Sequence, residues 1–449
     1  MIHKFEFDGT KIVLDVHSGS VHVVDDLTWE LLDHYQTHSL LDIKRILENQ
    51  FEAVEIEEAW GEIEVLAKLG QLFSADCGLN GYRFPEKPIV KSLCLHIAHD
   101  CNLRCQYCFA GSGHFGGDRT LMSLETGQKA IDFLIQASGA RKNIEIDFFG
   151  GEPLLNFQVV KDLVNYGEER ALATGKVFKF TLTTNAVLLD EFVQKWLNEK
   201  GISVVLSLDG RKTVNDQMRT YIDGSGCYDD IVMNISRFVK SRDNQNYYVR
   251  GTFTHENLDF TKDIMHMVEL GFNEVSVEPV VAPEEEEYAL KKEDIPTLQE
   301  EYGKLTRAYL EKYKKGNPFN FFHFNLDLSG GPCLPKRLSG CGAGHEYLAV
   351  SPEGKMYPCH QFVGKSEFLI GDVDNGIQNM SLMKEFQNAH VYNKEKCKNC
   401  WAKFYCSGGC HANAMAANED LLVPYDIGCE LEKKRLECAI YLQVAKVGL

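Results

Sequence analysis

Residues 88–320 alternate short apolar stretches with amphipathic ones, and no other feature constrains the chain as strongly. The strand candidates are SLCLHIAH, IEIDFFGG, FKFTLTTN, ISVVLSLDG, YYVRGTFT and NEVSVEPVV. Helical patterns such as SLETGQKAIDFLIQAS, LDEFVQKWLNEK and DFTKDIMHMVELGF lie between them. Strands joined through helices pair in parallel, with the helices as crossovers. Six such units are too few to close an eight-fold barrel, so an open α/β partial (β/α)6 TIM-like barrel is expected. Its reactive groups belong at the C-terminal ends of the strands.

Two other regions flank the barrel. Residues 1–85 start with short strands, HKFEFDG, KIVLDVHSG and SVHVVDD, turned at Gly9 and at the SGS of 18–20. Three helical patterns follow. Asp25 or Asp26 caps the first, which aligns Leu27, Leu31 and Leu32, and Ser39 caps the second. This β-then-α order suggests a winged-helix-like module, tied to the barrel by the linker GLNGYRFPEKP. Residues 325–449 read as loop-rich and cysteine-rich, a segment that metal clusters would have to stabilise.

A net charge of −18 excludes a phosphate-tracking nucleic-acid binder. No apolar run is long enough for a membrane helix, and the N-terminus lacks a signal peptide's apolar core. A cytoplasmic protein is expected. Fifteen cysteines in a reducing compartment point to metal ligation rather than disulfides.

Cys101, Cys105 and Cys108 form a C-x3-C-x2-C run directly after the first barrel strand. Three thiolates can hold three irons of a [4Fe–4S] cluster and leave the fourth free for a ligand. A structural zinc site completed by His99 or His114 is the alternative. Farther on come Cys341, Gly354 and Cys359, then Cys397-x2-Cys400-x5-Cys406-x3-Cys410, then Cys429. Cys77, Cys94, Cys227 and Cys438 have no spacing partners and read as small buried hydrophobes.

With Tyr107 just before its last cysteine, the 101–108 run resembles that of the radical S-adenosylmethionine (SAM) enzymes. The resemblance implies that the free iron chelates the cofactor's amino and carboxylate groups. One electron then cleaves a carbon–sulfur bond, and a 5′-deoxyadenosyl radical abstracts hydrogen. It also implies cofactor contacts from Gly150, Gly151, Glu152 and Pro153, where the glycines bring backbone close to ligand. Thr184 and Asn185 would reach ribose or substrate. Ser207, Arg219 and Val280 resemble ribose, carboxylate and adenine positions of sulfatase-maturing relatives.

The later cysteines resemble a SPASM domain, which implies two auxiliary [4Fe–4S] clusters and three in all. By that likeness Cys397, Cys400, Cys406 and Cys429 hold the distal one, and Cys341, Cys359 and Cys410 the nearer one. Cys333 either closes the nearer cluster or leaves it open to bind and deprotonate a substrate thiol. The whole chain resembles the thioether-forming maturases of clostridial peptides with six cysteines in forty-five residues. Implied partners are a cysteine-rich precursor peptide with its leader, bound by the N-terminal module as an added strand, and an electron donor such as flavodoxin or ferredoxin. No nucleic acid and no membrane are expected. Formylglycine formation on a sulfatase and non-catalytic electron transfer are the alternatives, and no residue stands out as a general base.

Overall fold

The computed structural model describes residues 1–76, 78, 79, 81–328 and 334–447, so Cys77 and Cys333 lie outside the described residues. Strands β1 (Ile2–Phe7), β2 (Thr10–Asp15) and β3 (Val21–Val24) form an antiparallel sheet in that order. The β1–β2 turn needs two residues at positive φ, supplied by Asp8 (47°) and Gly9 (76°). Helices α1 (Asp26–His34), α2 (Leu40–Leu47) and α3 (Ala53–Lys68) follow. Asp25 caps α1, and Ser39 and Asp42 form a capping box on α2. Leu31, Ile43, Leu47, Ile56 and Ile63 close a small core against Val13.

The main sheet begins with β4 (Ser92–Ala98), β5 (Asn143–Gly150), β6 (Val177–Thr184), β7 (Ser203–Ser207), β8 (Tyr247–Phe253) and β9 (Glu274–Pro279). These are the six expected strands, all parallel to their neighbours. Between and after them run α4 (Leu124–Ala137), α5 (Phe157–Thr174), α6 (Glu191–Glu199), α7 (Lys212–Met218), α8 (Tyr228–Ser241), α9 (Phe260–Glu269) and α10 (Ile295–Lys314). Every residue of β4 is buried, as befits a strand covered on both faces.

The sheet does not stop at six strands. β10 (Asn320–Phe321) adds beyond β9, and β11 (Tyr347–Val350) pairs in parallel with β4. The antiparallel strands β12 (Lys355–Tyr357), β13 (Gly371–Asp372) and β14 (Gly376–Ile377) complete eleven. The cysteine-rich region therefore shares the barrel's core through Leu348, Val350, Met356, Phe362 and Phe386, instead of depending on clusters alone. Its last element is a helix, Asp426–Val447, absent from the sequence reading.

That C-terminal helix packs on α10 and on β1. Ile440 is fully buried against Phe5, Ile12 and Leu14 of the N-terminal sheet. His3 stacks on Trp401 with ring centroids 3.7 Å apart, and Lys403 pairs with Asp76 at 2.8 Å. Among the described residues no helix is long and apolar enough to cross a membrane.

Candidate active site

The 99–108 segment leaves β4 as an irregular loop at the C-terminal edge of the sheet. A second segment braces it: the Arg104 and Gln106 N–H groups donate to the Thr220 and Met218 carbonyls at 2.7 and 2.9 Å. The Arg104 guanidinium donates to the carbonyls of Cys101 and Leu103. Cys101, Cys105 and Cys108 are half-buried and lie within electrostatic reach of one another. Burial, then the charge of Glu152, pushes the Cys101 thiol up to about 12. Burial pushes Cys105 up to about 11. Thiols this reluctant to ionise become ligands when a metal cation takes the place of the proton.

Each imidazole that would complete a zinc site has one ring nitrogen already engaged. His99 Nε2 meets His96 Nδ1 at 3.1 Å, and His114 Nδ1 accepts from the Gly116 N–H at 3.1 Å. Among the described residues no three His, Cys, Asp or Glu side chains converge to hold a single metal ion. A four-iron cubane spreads its ligands over separate corners and does not require that convergence.

Gly150 and Gly151 let two chain segments cross closely. A Cβ on Gly150, at φ +132°, would lie 2.3 Å from the Ala98 carbonyl oxygen, and one on Gly151 would lie 2.2 Å from that of Asp100. The end of β5 is thereby pressed onto the cysteine loop, and the Gly151 and Glu152 N–H groups donate to the Ala98 and Asp100 carbonyls. Buried Pro153 opens a helical turn, Pro153–Asn156. Glu152 is fully buried. Its Oε1 accepts from the Leu154 N–H and the Thr184 hydroxyl, and its Oε2 from the Asn185 N–H at 2.8 Å. Burial raises this carboxyl to about 7 despite those bonds.

Thr184 thus holds Glu152, and Asn185 donates to Asn102 Oδ1 at 2.7 Å beside the Cys101 sulfur. Tyr107 donates to Asp209 Oδ2 at 2.6 Å and accepts from Arg219 Nη1 at 2.8 Å. The buried Arg219 Nε has no hydrogen-bond partner among the described residues. Asp209, 1 % exposed, also accepts from the Thr252 N–H and so ties the cysteine loop to β8. The sequence reading passed over it inside SLDG, because one aspartate in a turn carries no spacing signal. Ser207 is half-buried at the end of β7, and Val280 is buried just past β9.

The remaining thiols gather in two groups. Cys359 lies in electrostatic reach of Cys410 and Cys341, and burial raises its thiol well above the ordinary range. Cys406 likewise senses Cys429, Cys397 and Cys400, and burial pushes Cys429 up to about 11. One group thus comprises Cys341, Cys359 and Cys410, and the other Cys397, Cys400, Cys406 and Cys429. Cys94, Cys227 and Cys438 are fully buried.

Two family models match the chain. One, described as a 4Fe-4S single cluster domain, covers residues 90–232, and the other, the SPASM iron-sulfur cluster-binding domain, covers 341–401. A cysteine-type anaerobic sulfatase-maturating enzyme of Clostridium novyi is 24% identical over 347 residues, 72% of this chain and 89% of that protein. The structure of anSMEcpe with bound AdoMet superposes with TM-score 0.67 at 20% identity, covering 80% of this chain and 100% of that one. Streptococcus suis SuiB, solved with S-adenosylmethionine, gives TM-score 0.55 at 18% identity over 95% of this chain and 98% of its own. SuiB has also been solved with its precursor peptide SuiA. The fold is that of the radical SAM enzymes with a C-terminal SPASM region.

Proposed function

We propose that this protein is a radical SAM peptide maturase that joins cysteine sulfur to carbon in a ribosomally made, cysteine-rich peptide. Cys101, Cys105 and Cys108 are the ligands of a [4Fe–4S] cluster with one open iron. With S-adenosylmethionine bound, that centre supplies hydrogen-atom abstraction. The chain's own residues bind and orient. Glu152 spends three of roughly four lone-pair sites on Leu154, Thr184 and Asn185. The remaining site, on Oε2, suits an ammonium. Arg219 keeps a buried Nε–H available for a carboxylate, while Tyr107 and Asp209 hold its guanidinium in place.

Cys341, Cys359 and Cys410 provide three ligands for the nearer auxiliary cluster, whose remaining position would take a substrate thiol. Cys397, Cys400, Cys406 and Cys429 hold the distal one. The N-terminal module binds the leader, and a flavodoxin or ferredoxin delivers the electron in the cytoplasm. Neither nucleic acid nor a membrane takes part.

One observation carries this reading over its nearest rival. The likeness to anSMEcpe uses all of that chain but only 80% of this one, whereas the likeness to SuiB extends over 95%. The surplus favours an enzyme that needs a recognition module, as a leader-bearing peptide requires. The sequence similarity to a sulfatase-maturating enzyme favours formylglycine formation as the second reading. Anaerobic, reduced protein is incubated with S-adenosylmethionine and a cysteine-rich peptide, with and without its leader. Release of 5′-deoxyadenosine with a leader-dependent loss of two hydrogens per crosslink, all sulfur retained, is the expected result. Loss of sulfur from a cysteine supports formylglycine formation instead, and absence of 5′-deoxyadenosine overturns both.

A further inference from the structure

Three residues before Cys397 stands a lysine with no role so far. The Lys394 side chain is 0 % exposed. Its Nζ donates to the Gly408 carbonyl at 2.7 Å, its only hydrogen-bond partner among the described residues, and no carboxylate pairs with it there. An ammonium has three donors, and a buried charge without a counter-charge is costly. Of the nearby histidines, His411 Nε2 donates to the Ala389 carbonyl and His390 Nδ1 accepts from the Tyr392 N–H. Four thiols lie within electrostatic reach of the ammonium: Cys397, Cys406 and Cys429 of the distal group and Cys410 of the nearer one.

Its position is locked from two sides. The Lys394 carbonyl accepts from the Cys397 and Lys398 N–H groups at 2.9 and 3.2 Å, so the residue opens the turn that presents Cys397. Gly408 lies in the short link between Cys406 and Cys410, which belong to different groups. A Cβ there would lie 3.5 Å from the Lys394 Cδ and 3.6 Å from its Nζ. The lysine therefore sits at the seam of the two thiol groups.

We propose that Lys394 is a fixed positive charge shared by the two auxiliary clusters, aiming its free N–H groups at cluster or thiolate sulfur and making both clusters easier to reduce. This rests on the reading that the two thiol groups hold clusters. A thiolate-ligated cluster is anionic, and reduction adds one more negative charge. A neighbouring cation and its hydrogen bonds favour the reduced state. The step moves one electron from the reductant to the cluster, with no bond made or broken, and the ammonium keeps its proton.

Anaerobic titration of the full-length, iron-loaded protein with dithionite, followed by electron paramagnetic resonance, tests the proposal. In Lys394→Met the auxiliary signals are expected to shift to lower potential by at least a tenfold change in equilibrium constant, about 59 mV for one electron. The 101–108 signal and the iron content should stay at wild-type values. Lys394→Arg should keep the wild-type potentials. A fully loaded Lys394→Met with unmoved potentials overturns the proposal, as does an arginine variant shifted as far as the methionine one. If Lys394→Met loses auxiliary iron, reduced wild-type protein grown on isotopically labelled lysine decides. A lysine-nitrogen coupling to an auxiliary cluster supports the proposal and its absence overturns it. Wild-type protein without auxiliary iron overturns the cluster reading itself, and this inference with it.

Discussion

Gly151 shows that a motif can carry a packing requirement its sequence does not announce. GGEP stood out in the sequence, but its glycines separate two crossing backbones, because a Cβ on Gly151 would lie 2.2 Å from the Asp100 carbonyl. Gly151→Ala is expected to cost about 1–3 kcal/mol through overpacking and to lower the iron bound at 101–108, checked by urea unfolding and iron analysis. Glu152 yields a pH prediction. Burial raises its carboxyl from 4.5 to about 7, so the folded state favours the protonated form. The stability this contributes to the metal-free protein is complete below pH 4.5 and is lost as pH rises through about 7. Glu152→Gln should flatten that slope in urea midpoints measured against pH; an unchanged slope contradicts it. Asp209 and Lys394 were illegible beforehand because neither has a spacing signature. Only the folded chain brings one to Tyr107 and Arg219 and the other among the thiols.

At the scale of elements, the long strands and helices of the barrel were legible because each repeats its apolar period several times. β12, β13 and β14 run three, two and two residues, too short for alternation to register. The C-terminal helix escaped for a different reason. It is covered by α10 on one side and β1 on another, and charged residues recur along it, so no single apolar stripe marks it. Ile440 is its anchor on the N-terminal sheet. Ile440→Ala is expected to cost about 2–5 kcal/mol. It should also speed proteolysis in the linker between α3 and β4, which a time course with a nonspecific protease would reveal. Unchanged cleavage would mean that His3, Asp8 and Asp76 suffice to dock the module.

At the scale of the whole molecule, the N-terminal module and the distal thiol group share one surface. Trp401 stacks on His3, Lys403 pairs with Asp76, and both lie between Cys400 and Cys406. Loss of the distal cluster should therefore be felt across the chain. Cys406→Ala is expected to speed amide exchange in β1 and β2 about tenfold, or about 1.4 kcal/mol of local stability. Hydrogen-exchange mass spectrometry checks this, and exchange confined to 395–430 would refute it.

The pairing of β4 with β11 has a last consequence. The strand that launches the 101–108 loop and the strand that lies between Cys341 and Cys359 are hydrogen-bonded neighbours. Neighbouring strands keep a spacing of about 4.8 Å. The strands that lead to the two sites therefore keep a set separation. In any reaction that visits both sites, it falls to the substrate to span that separation.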